Sequence, residues 1–180
     1  MNLAIVLTLI GRDRPGLVER IASVVARHNG NWLESRMNRL GGEFAGILRL
    51  TLPAARESAL LADLAHLESS GLTVFARRDE PATGDPSSAT RIHLELVGQD
   101  RPRIVQQIAS ALTTHGANVE ELVTECVSAP MSGESLFKAK ARLALPPTSD
   151  IAQLRASLEG IAADLLVDIS LVPIPGPDSP

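Results

Sequence analysis

Residues 11–31 read GRDRPGLVERIASVVARHNGN, and residues 98–118 read GQDRPRIVQQIASALTTHGAN. The two stretches lie 87 positions apart and share Gly, Asp, Arg, Pro, Val, Ile-Ala-Ser, His and Asn. A further match, between LTLP at 50–53 and LALP at 143–146, lies 93 positions apart, so the second copy carries about six additional residues. The Pro, Gly and Ser of SAPMSGES at 128–135 are typical of a turn and favour an insertion there. The chain is therefore predicted to be a tandem repeat of one folding unit.

The apolar residues of the first copy change their spacing in a fixed order. A continuous apolar run at 3–10 predicts a strand, and Asp-Arg-Pro then opens a helix in which Pro15 suits the first turn. Gly41-Gly42 predicts a tight hairpin between the next two strands. The remaining predicted elements are strands at 32–40, 43–52 and 72–77 and a second helix at about 54–70. The predicted order is β-α-β-β-α-β.

The second copy repeats this order, and the helices of both copies have an apolar stripe. The last helix, at about 150–163, has an N-cap candidate in Thr148, Ser149 or Asp150. The side chains expected to face inward from the helices of the first copy are Leu17, Val18, Ile21, Val24, Val25, Leu60, Leu61, Leu64 and Leu67. In the first helix of the second copy they are Ile104, Val105, Ile108 and Leu112.

A βαββαβ unit of this size is the ferredoxin-like fold of the α+β class, in which both helices lie on one face of an antiparallel four-stranded sheet. The sequence predicts two such domains, at 1–80 and 91–172, with a linker at 81–90 and a flexible tail at 173–180. The other face of each sheet has no helix over it. We expect that face to be apolar and to be covered by the other domain or by another chain.

The composition argues against binding to nucleic acid or membrane. The 180 residues carry a net charge of −4 and few aromatic side chains, whereas nucleic-acid binding favours basic surfaces and stacking platforms. No apolar run reaches the roughly 18 residues of a membrane span, and the apolar start has no basic leader. The single Cys126 is expected to be a buried, inert strand thiol. We therefore expect a cytoplasmic protein.

The sequence carries no motif for catalysis or for metal binding. A P-loop, a dinucleotide fingerprint and a Cys/His cluster are all missing from it. Ser23 and Ser110 match in the repeat, but neither lies in a nucleophile elbow or beside a base. His28 and His115 are expected to interact with helix C-termini rather than with a metal ion. The prediction is a non-enzymatic protein without a metal or a cofactor.

Two stretches of the first copy resemble a known family. GRDRPG at 11–16 matches the G-x-D-x-P-G loop of ACT domains, and Asn31 follows at the start of the next strand. ESRMNRLGGEFAG at 34–46 is similar to the N-terminal domain of the glycine cleavage system transcriptional repressor group, whose members are freestanding tandem ACT proteins. ACT domains are small βαββαβ modules that bind amino acids and regulate metabolic proteins. The resemblance covers nearly the whole chain as two copies.

The resemblance implies a ligand site where the loop between the first strand and the first helix meets a neighbouring ACT domain. Unpaired N–H groups at a helix N-terminus suit a carboxylate, and Gly16 lets it approach. Asp13, the Asn31 side chain or strand-edge carbonyl groups can accept from the ammonium group. The alternative is that Asp13 only caps the helix and Gly16 has no special role. The implied ligand-binding residues are Arg12, Asp13, Arg14, Pro15, Gly16, Leu17 and Asn31.

The second copy departs from the loop pattern, because Arg103 replaces the glycine. A long cationic side chain at this position takes the space that a small ligand needs. Either the site is lost, which we favour, or the guanidinium group itself holds a carboxylate. The residues of this second candidate site are Asp100, Arg101, Pro102, Arg103 and Asn118.

The resemblance also implies a regulatory function. The expected protein senses an amino acid, with glycine as the candidate, and acts on a protein partner such as a transcription activator, as a monomer or a homodimer. Two alternatives stay open: a ligand-free ACT module for interaction or dimerisation, and a regulatory subunit of a metabolic enzyme. The sequence does not name the amino acid.

Overall fold

Each copy of the repeat folds into four strands and two helices. The structure, a computed structural model, describes residues 1–79, 89–129 and 133–174. It divides into two units, Met1–Ala82 and Thr83–Pro180. The first unit contains β1 (Asn2–Arg12), α1 (Leu17–Arg27), β2 (Asn31–Leu40), β3 (Glu43–Pro53), α2 (Glu57–His66, between short 3₁₀ helices at Ala54–Arg56 and Leu67–Ser70) and β4 (Leu72–Arg78). The second unit contains β5 (Thr90–Gln99), α3 (Ile104–Thr114), β6 (Asn118–Ser128), β7 (Ser135–Leu145), α4 (Ile151–Leu165) and β8 (Val167–Pro173).

Both units contain one antiparallel four-stranded sheet with the two helices on a single face. The strand order is β2-β3-β1-β4 in the first unit and β6-β7-β5-β8 in the second. The register of the edge strand shifts at the equivalent place in both, between Trp32 and Glu34 and between Val119 and Glu121. The predicted fold, two ferredoxin-like domains of the α+β class, is confirmed.

The core of each unit lies between its sheet and its helices. Alternate residues of the central strands are buried, such as Leu7 and Leu9 in β1. Most of the helix residues that were predicted to face inward are buried, but Val18, Leu61 and Val105 are exposed. Each of these three follows a buried residue and lies about 100° around the helix from it, which is enough to leave the stripe.

Helix α1 begins later than predicted. Pro15 lies in the turn before the helix, and Gly16 is its N-cap residue with φ of 90° and ψ of 1°. Glycine adopts this left-handed conformation at little cost, so the chain turns at Gly16 and the helix starts at Leu17. The N-cap of α4 is Asp150, one of the three candidates, and its carboxylate accepts hydrogen bonds from the N–H groups two and three residues later, at 2.9 and 3.1 Å.

The sheet face opposite the helices differs between the units. In the first unit it exposes Ile10, Ile47 and Phe75, as expected of an apolar face. In the second unit the face carries cross-strand ion pairs, including Lys140 with Glu95 at 3.3 Å. The expectation of an apolar face was therefore wrong for the second unit, because charged and polar residues together fill most of its outward positions.

Cys126 is exposed, which contradicts the prediction of a buried thiol. It lies on β6, the edge strand of its sheet, so a neighbouring strand covers only one side of it. An alternating strand pattern does not reveal whether anything covers the outer edge of a strand.

The ends of the predicted domains fall partly outside the described residues. Residues 81–88 of the predicted linker and 175–180 of the predicted tail are not described. Thr90 already belongs to β5 and Pro173 still belongs to β8, so these strands extend by one residue into the two segments. None of the described helices is long and apolar enough to cross a membrane.

Candidate ligand site

Asp13 connects the loop between β1 and α1 to the hairpin between β2 and β3 by a hydrogen bond and an ion pair. Its backbone N–H donates to the carbonyl oxygen of Gly42 at 3.0 Å. Its carboxylate Oδ2 lies 2.6 Å from Nε of Arg39. No side chain makes a capping hydrogen bond at the start of α1. The interpretation in which Asp13 only caps the helix is therefore wrong.

Gly16 leaves the N-terminus of α1 open. A Cβ added to Gly16 would find no heavy atom within 4 Å. The first N–H groups of α1 have no side-chain cap, and the positive end of the helix dipole favours an anion near them. Leu17 contributes only backbone to such a site, because its side chain is buried in the core. A small carboxylate suits this position.

Cationic side chains flank the same loop. Nε of Arg12 lies 3.9 Å from Oε1 of Glu43, and Arg14 donates to the backbone carbonyl oxygen of Ser70. Together with Arg39, these residues place three guanidinium groups around one loop, whereas Asp13 and Glu43 supply two carboxylates. The local excess of positive charge favours a ligand with a carboxylate.

Asn31 lies at the other end of the sheet from this loop. It pairs with Thr51, which on its other side pairs with Ala4. The loop follows Arg12, eight residues further along β1, a separation of about 26 Å at roughly 3.3 Å per residue. The structure therefore brings residues 12–16 together and leaves Asn31 out of their reach within one unit. The start of β6 places Asn118 in the same relation to the second loop.

The second loop makes the same backbone hydrogen bond to its hairpin as the first loop does, but the side chain next to its aspartate is uncharged. The N–H of Asp100 donates to the carbonyl oxygen of Ser135 at 3.0 Å. Cys126 stands where the first unit has Arg39. Partial desolvation, and then the charge of Asp100 and a hydrogen bond with it, raise the pKa of the Cys126 thiol. The loop carboxylate of the second unit thus has a neutral neighbour instead of a cation.

Arg103 adopts the backbone conformation of the glycine that it replaces. Its φ of 73° and ψ of 3° are close to the values of Gly16, and a left-handed conformation costs a non-glycine residue about 1 kcal/mol. Arg103 is exposed and makes no ion pair with any described residue. Arg101 donates to the side chain of Gln99 at 3.3 Å, and Pro102 is exposed. Compared with the first loop, the second candidate site has an additional cation, Arg103, at the start of its helix. It lacks the cation that Arg39 supplies on the hairpin of the first unit.

The sequence of the first unit matches a known family model. Residues 4–76 match the family model described as the ACT domain. The first unit thus matches the ACT domain over almost its whole length. The match runs from β1 into β4 and includes both Asp13 and Arg39, so the resemblance first noted in GRDRPG is confirmed.

Relatives of known name extend the likeness over most of the chain. Over 165 residues it is 24% identical to the glycine cleavage system transcriptional repressor of Escherichia coli (strain K12), covering 89% of this chain and 85% of that protein. The protein of the same name from Shigella flexneri matches with the same identity and coverage. Both named relatives are therefore similar to the chain across its two units.

Solved structures give the same fold. The crystal structure of an unknown protein from Galdieria sulphuraria matches with a TM-score of 0.82 and 28% identity, covering 97% of this chain and all of the other. A second crystal structure, provisionally assigned as a glycine cleavage system transcriptional repressor, matches with a TM-score of 0.69 over 97% of this chain and 98% of the other. At 18% identity the latter supports the fold alone.

In the first unit a histidine joins the two helices, a contact that the sequence did not predict. His28 ends α1, is only 8% exposed, and donates from Nε2 to Oδ2 of Asp63 in α2 at 2.9 Å. This hydrogen bond, with a smaller contribution from the charge of Arg27, lowers the pKa of Asp63. In the second unit, Nε2 of His115 lies 2.8 Å from Oγ of Ser157 in α4. Both histidines end their helices, as expected, and also connect the helix pair.

The second unit contains an apolar groove beside its first helix. A void of about 50 Å³ lies between α3 and β6, lined among others by Ile108, Val119 and Leu122. Val119 stands in the repeat where the first unit has Trp32. Trp32 is partly buried and packs against the core of its unit. The valine is smaller than the tryptophan and lines the void, which we call the α3–β6 groove.

No metal site accompanies these features in the part of the chain that the structure describes. Across residues 1–79, 89–129 and 133–174, no three His, Cys, Asp or Glu side chains come together as a metal ion would require. The polar contacts described for the two loops are hydrogen bonds and ion pairs to backbone and side-chain groups of the same unit.

Proposed function

We propose that this chain is a non-enzymatic cytoplasmic regulator that senses an amino acid and acts through a protein partner. The names of its two relatives, both transcriptional repressors of the glycine cleavage system, support a regulatory role and make glycine the first candidate effector. A transcription activator is the corresponding candidate for the partner. The observation that carries the sensing part of the proposal is the Asp13–Arg39 ion pair beside an uncapped helix start.

A free amino acid is a zwitterion, and the loop offers a group for each of its charges. The ammonium group of the ligand pairs with Asp13. The carboxylate of the ligand accepts hydrogen bonds from the free N–H groups of α1. It also pairs with the guanidinium group of Arg39, which then no longer pairs with Asp13. The ligand thereby replaces an internal ion pair with two charge-assisted contacts, and it changes how the loop is held to the β2–β3 hairpin.

An asparagine can complete this site only from outside the unit. Because Asn31 lies about 26 Å from the loop of its own unit, its amide would reach a ligand there only from a second copy of the domain. Ligand binding and pairing of domains are then coupled. A regulator of this kind requires the ligand to bind one arrangement better than another, since equal affinity for both shifts nothing.

The second unit is proposed to serve as scaffold. Its loop lacks the cation that Arg39 supplies, and Arg103 places a long side chain at the helix start. Neither change prevents folding, because Asp100 keeps the backbone anchor to Ser135. The two units thus share a fold and differ in the charges that a zwitterion requires.

A thermal-shift panel of the common amino acids on the full chain tests the sensing function. A ligand that binds the folded state raises Tm, and we expect glycine or another small amino acid to do so. Gly16→Arg should abolish the shift by copying the second loop, while the matched change Arg103→Gly should leave it in place. A shift that survives Gly16→Arg would place the pocket elsewhere.

A second candidate function is a ligand-free ACT module for interaction. The Asp13–Arg39 pair favours it in one respect, because the loop carboxylate already has a partner without any ligand. No Tm shift with any amino acid at millimolar concentration would favour this module. Co-purification with a metabolic enzyme rather than with a DNA-binding protein would instead indicate a regulatory subunit.

A further inference from the structure

The uncovered sheet face of the first unit carries four apolar side chains grouped around Thr8. Thr8 of β1 pairs with Ile47 of β3 and with Phe75 of β4. Val6 and Ile10 stand two residues to either side of Thr8 on the same face. Ile10, Ile47 and Phe75 are 46%, 55% and 61% exposed. We call these five residues the Thr8 face.

The second unit demonstrates that the fold itself does not require an apolar face. Val97, Val123 and Val172 are exposed on the equivalent face, but the cross-strand neighbours of each are polar or charged. Ion pairs such as Lys140 with Glu95 lie on the same face. The Thr8 face is therefore a property of the first unit, and contiguous exposed apolar areas on soluble domains commonly mark interaction sites.

Two exposed arginines flank the Thr8 face. Arg36 in β2 pairs across the strands with Ile47, and Arg77 in β4 pairs with Val6. Both are exposed, and neither makes an ion pair with any residue in the described ranges. The two guanidinium groups therefore stand at opposite edges of the apolar area, and no carboxylate of the described residues matches their charges.

The acidic side chains described on this face are already engaged. Arg49 holds two of them, Asp79 at 2.6 Å and Glu34 at 3.7 Å. Arg12 lies 3.9 Å from the third, Glu43. Among the described residues, the charge that remains unmatched on this face is positive.

We infer that the Thr8 face docks an apolar segment of a partner protein that carries acidic residues at its flanks. This inference rests on the proposed action through a partner, and it adds the surface and the chemistry of that partner. Apolar side chains of the segment cover Ile47 and Phe75, while its carboxylates pair with Arg36 and Arg77.

A second copy of the same face does not meet this requirement. Two stacked copies would bury four guanidinium groups and supply no free carboxylate for any of them. Burying an unpaired charge is costly, so the unmatched arginines favour a different, acidic partner.

Selection of phage-displayed random peptides on the immobilised full chain tests the inference. We expect enriched peptides in which Asp or Glu flanks apolar residues. Their Kd should rise about tenfold or more on the variant Ile47→Ser/Phe75→Ser and on Arg36→Glu/Arg77→Glu. The matched control Val123→Ser/Val172→Ser, on the equivalent face of the second unit, should bind as the wild type does.

Three outcomes would overturn the inference. They are selected peptides without acidic residues, equal binding to the Ile47→Ser/Phe75→Ser variant, and a wild-type dimer in sedimentation that this variant abolishes. The last result would assign the face to a second copy of the chain. The thermal shift with amino acids separates the two proposals, because the Thr8 face variants should keep this shift. A wild-type chain that shows no shift counts against sensing. A wild-type chain that shows a normal shift but selects no peptides counts against docking.

Discussion

The carboxylate of Asp13 lies 2.6 Å from the guanidinium group of Arg39, although 26 positions separate the two residues in the chain. The corresponding positions of the second unit are Asp100 and Cys126, where no such ion pair forms. One substitution on a hairpin strand thus removes the charge pattern that a zwitterion requires while the backbone of the loop is kept. The proposed difference in function between the two loops rests on this substitution as much as on the change of Gly16 to Arg103.

The first prediction concerns Asp13 and is tested with Asp13→Asn. The amide cannot bind an ammonium group as a carboxylate does, so we expect the amino-acid-induced rise in Tm to disappear. The ion pair is partly exposed, so its loss should lower the free energy of unfolding by less than about 1 kcal/mol. Asp100→Asn is the control and should leave the ligand response unchanged. A full ligand response of Asp13→Asn would remove Asp13 from the site.

The second prediction concerns the strained backbone at Arg103. Because this residue has a positive φ, Arg103→Gly should raise the free energy of unfolding by about 0.5–1 kcal/mol, the relief of strain less the added entropy of the unfolded chain. Chemical denaturation measures the change. Arg103→Ala separates strain from charge, since it removes the guanidinium group and keeps a Cβ. Equal stabilisation by Ala and Gly would show that charge, not conformation, is the cause.

Local sequence signals were sufficient to predict the fold. Gly41-Gly42 has positive φ at both residues and makes the predicted hairpin turn. The apolar periods predicted every helix and strand in the correct order. They wrongly predicted burial for residues next to an apolar stripe, such as Val18 and Val105, because the spacing of apolar residues does not give the exact direction in which the sheet lies from the helix.

The candidate site was less predictable, because its contacts are long-range. The sequence predicted the loop at 12–16 but added Asn31, whose distance follows only from strand register. The sequence did not predict the partner of Asp13 either, since nothing in GRDRPG refers to a residue on the next hairpin. The exposure of Cys126 depends on what covers the edge of its strand. The charges on the outer face of the second unit depend on what covers that sheet face. The alternation of apolar and polar residues reports neither.

The third prediction concerns pH and the contact between His28 and Asp63. Because this hydrogen bond holds the pKa of Asp63 below its ordinary value of 3.8, the contact stabilises the fold above that value and loses its effect as pH falls through the lowered pKa. Asp63→Asn should therefore lower Tm near neutral pH, and the difference should shrink towards about pH 2. Thermal unfolding of both proteins across this range measures it.

The helix contact of the second unit supplies the control for this pH dependence. Ser157 has no carboxylate to protonate, so the Tm difference between wild type and Ser157→Ala should stay constant from about pH 5 to about pH 2. A difference for Asp63→Asn that is equally constant would mean that the charge of Asp63 does not contribute to the contact.

The fourth prediction concerns the α3–β6 groove and is tested with Val119→Trp. The equivalent Trp32 packs against the core of the first unit, so an indole at 119 should fill the void of about 50 Å³. We expect a gain of about 1 kcal/mol in the free energy of unfolding. In a Trp32→Phe background, the new tryptophan should emit at shorter wavelength than that of the control Val123→Trp, which points to the opposite face of the same strand. Lower stability together with solvent-like emission would mean that the groove cannot admit a side chain from its own strand, and that the equivalence with Trp32 does not extend to packing.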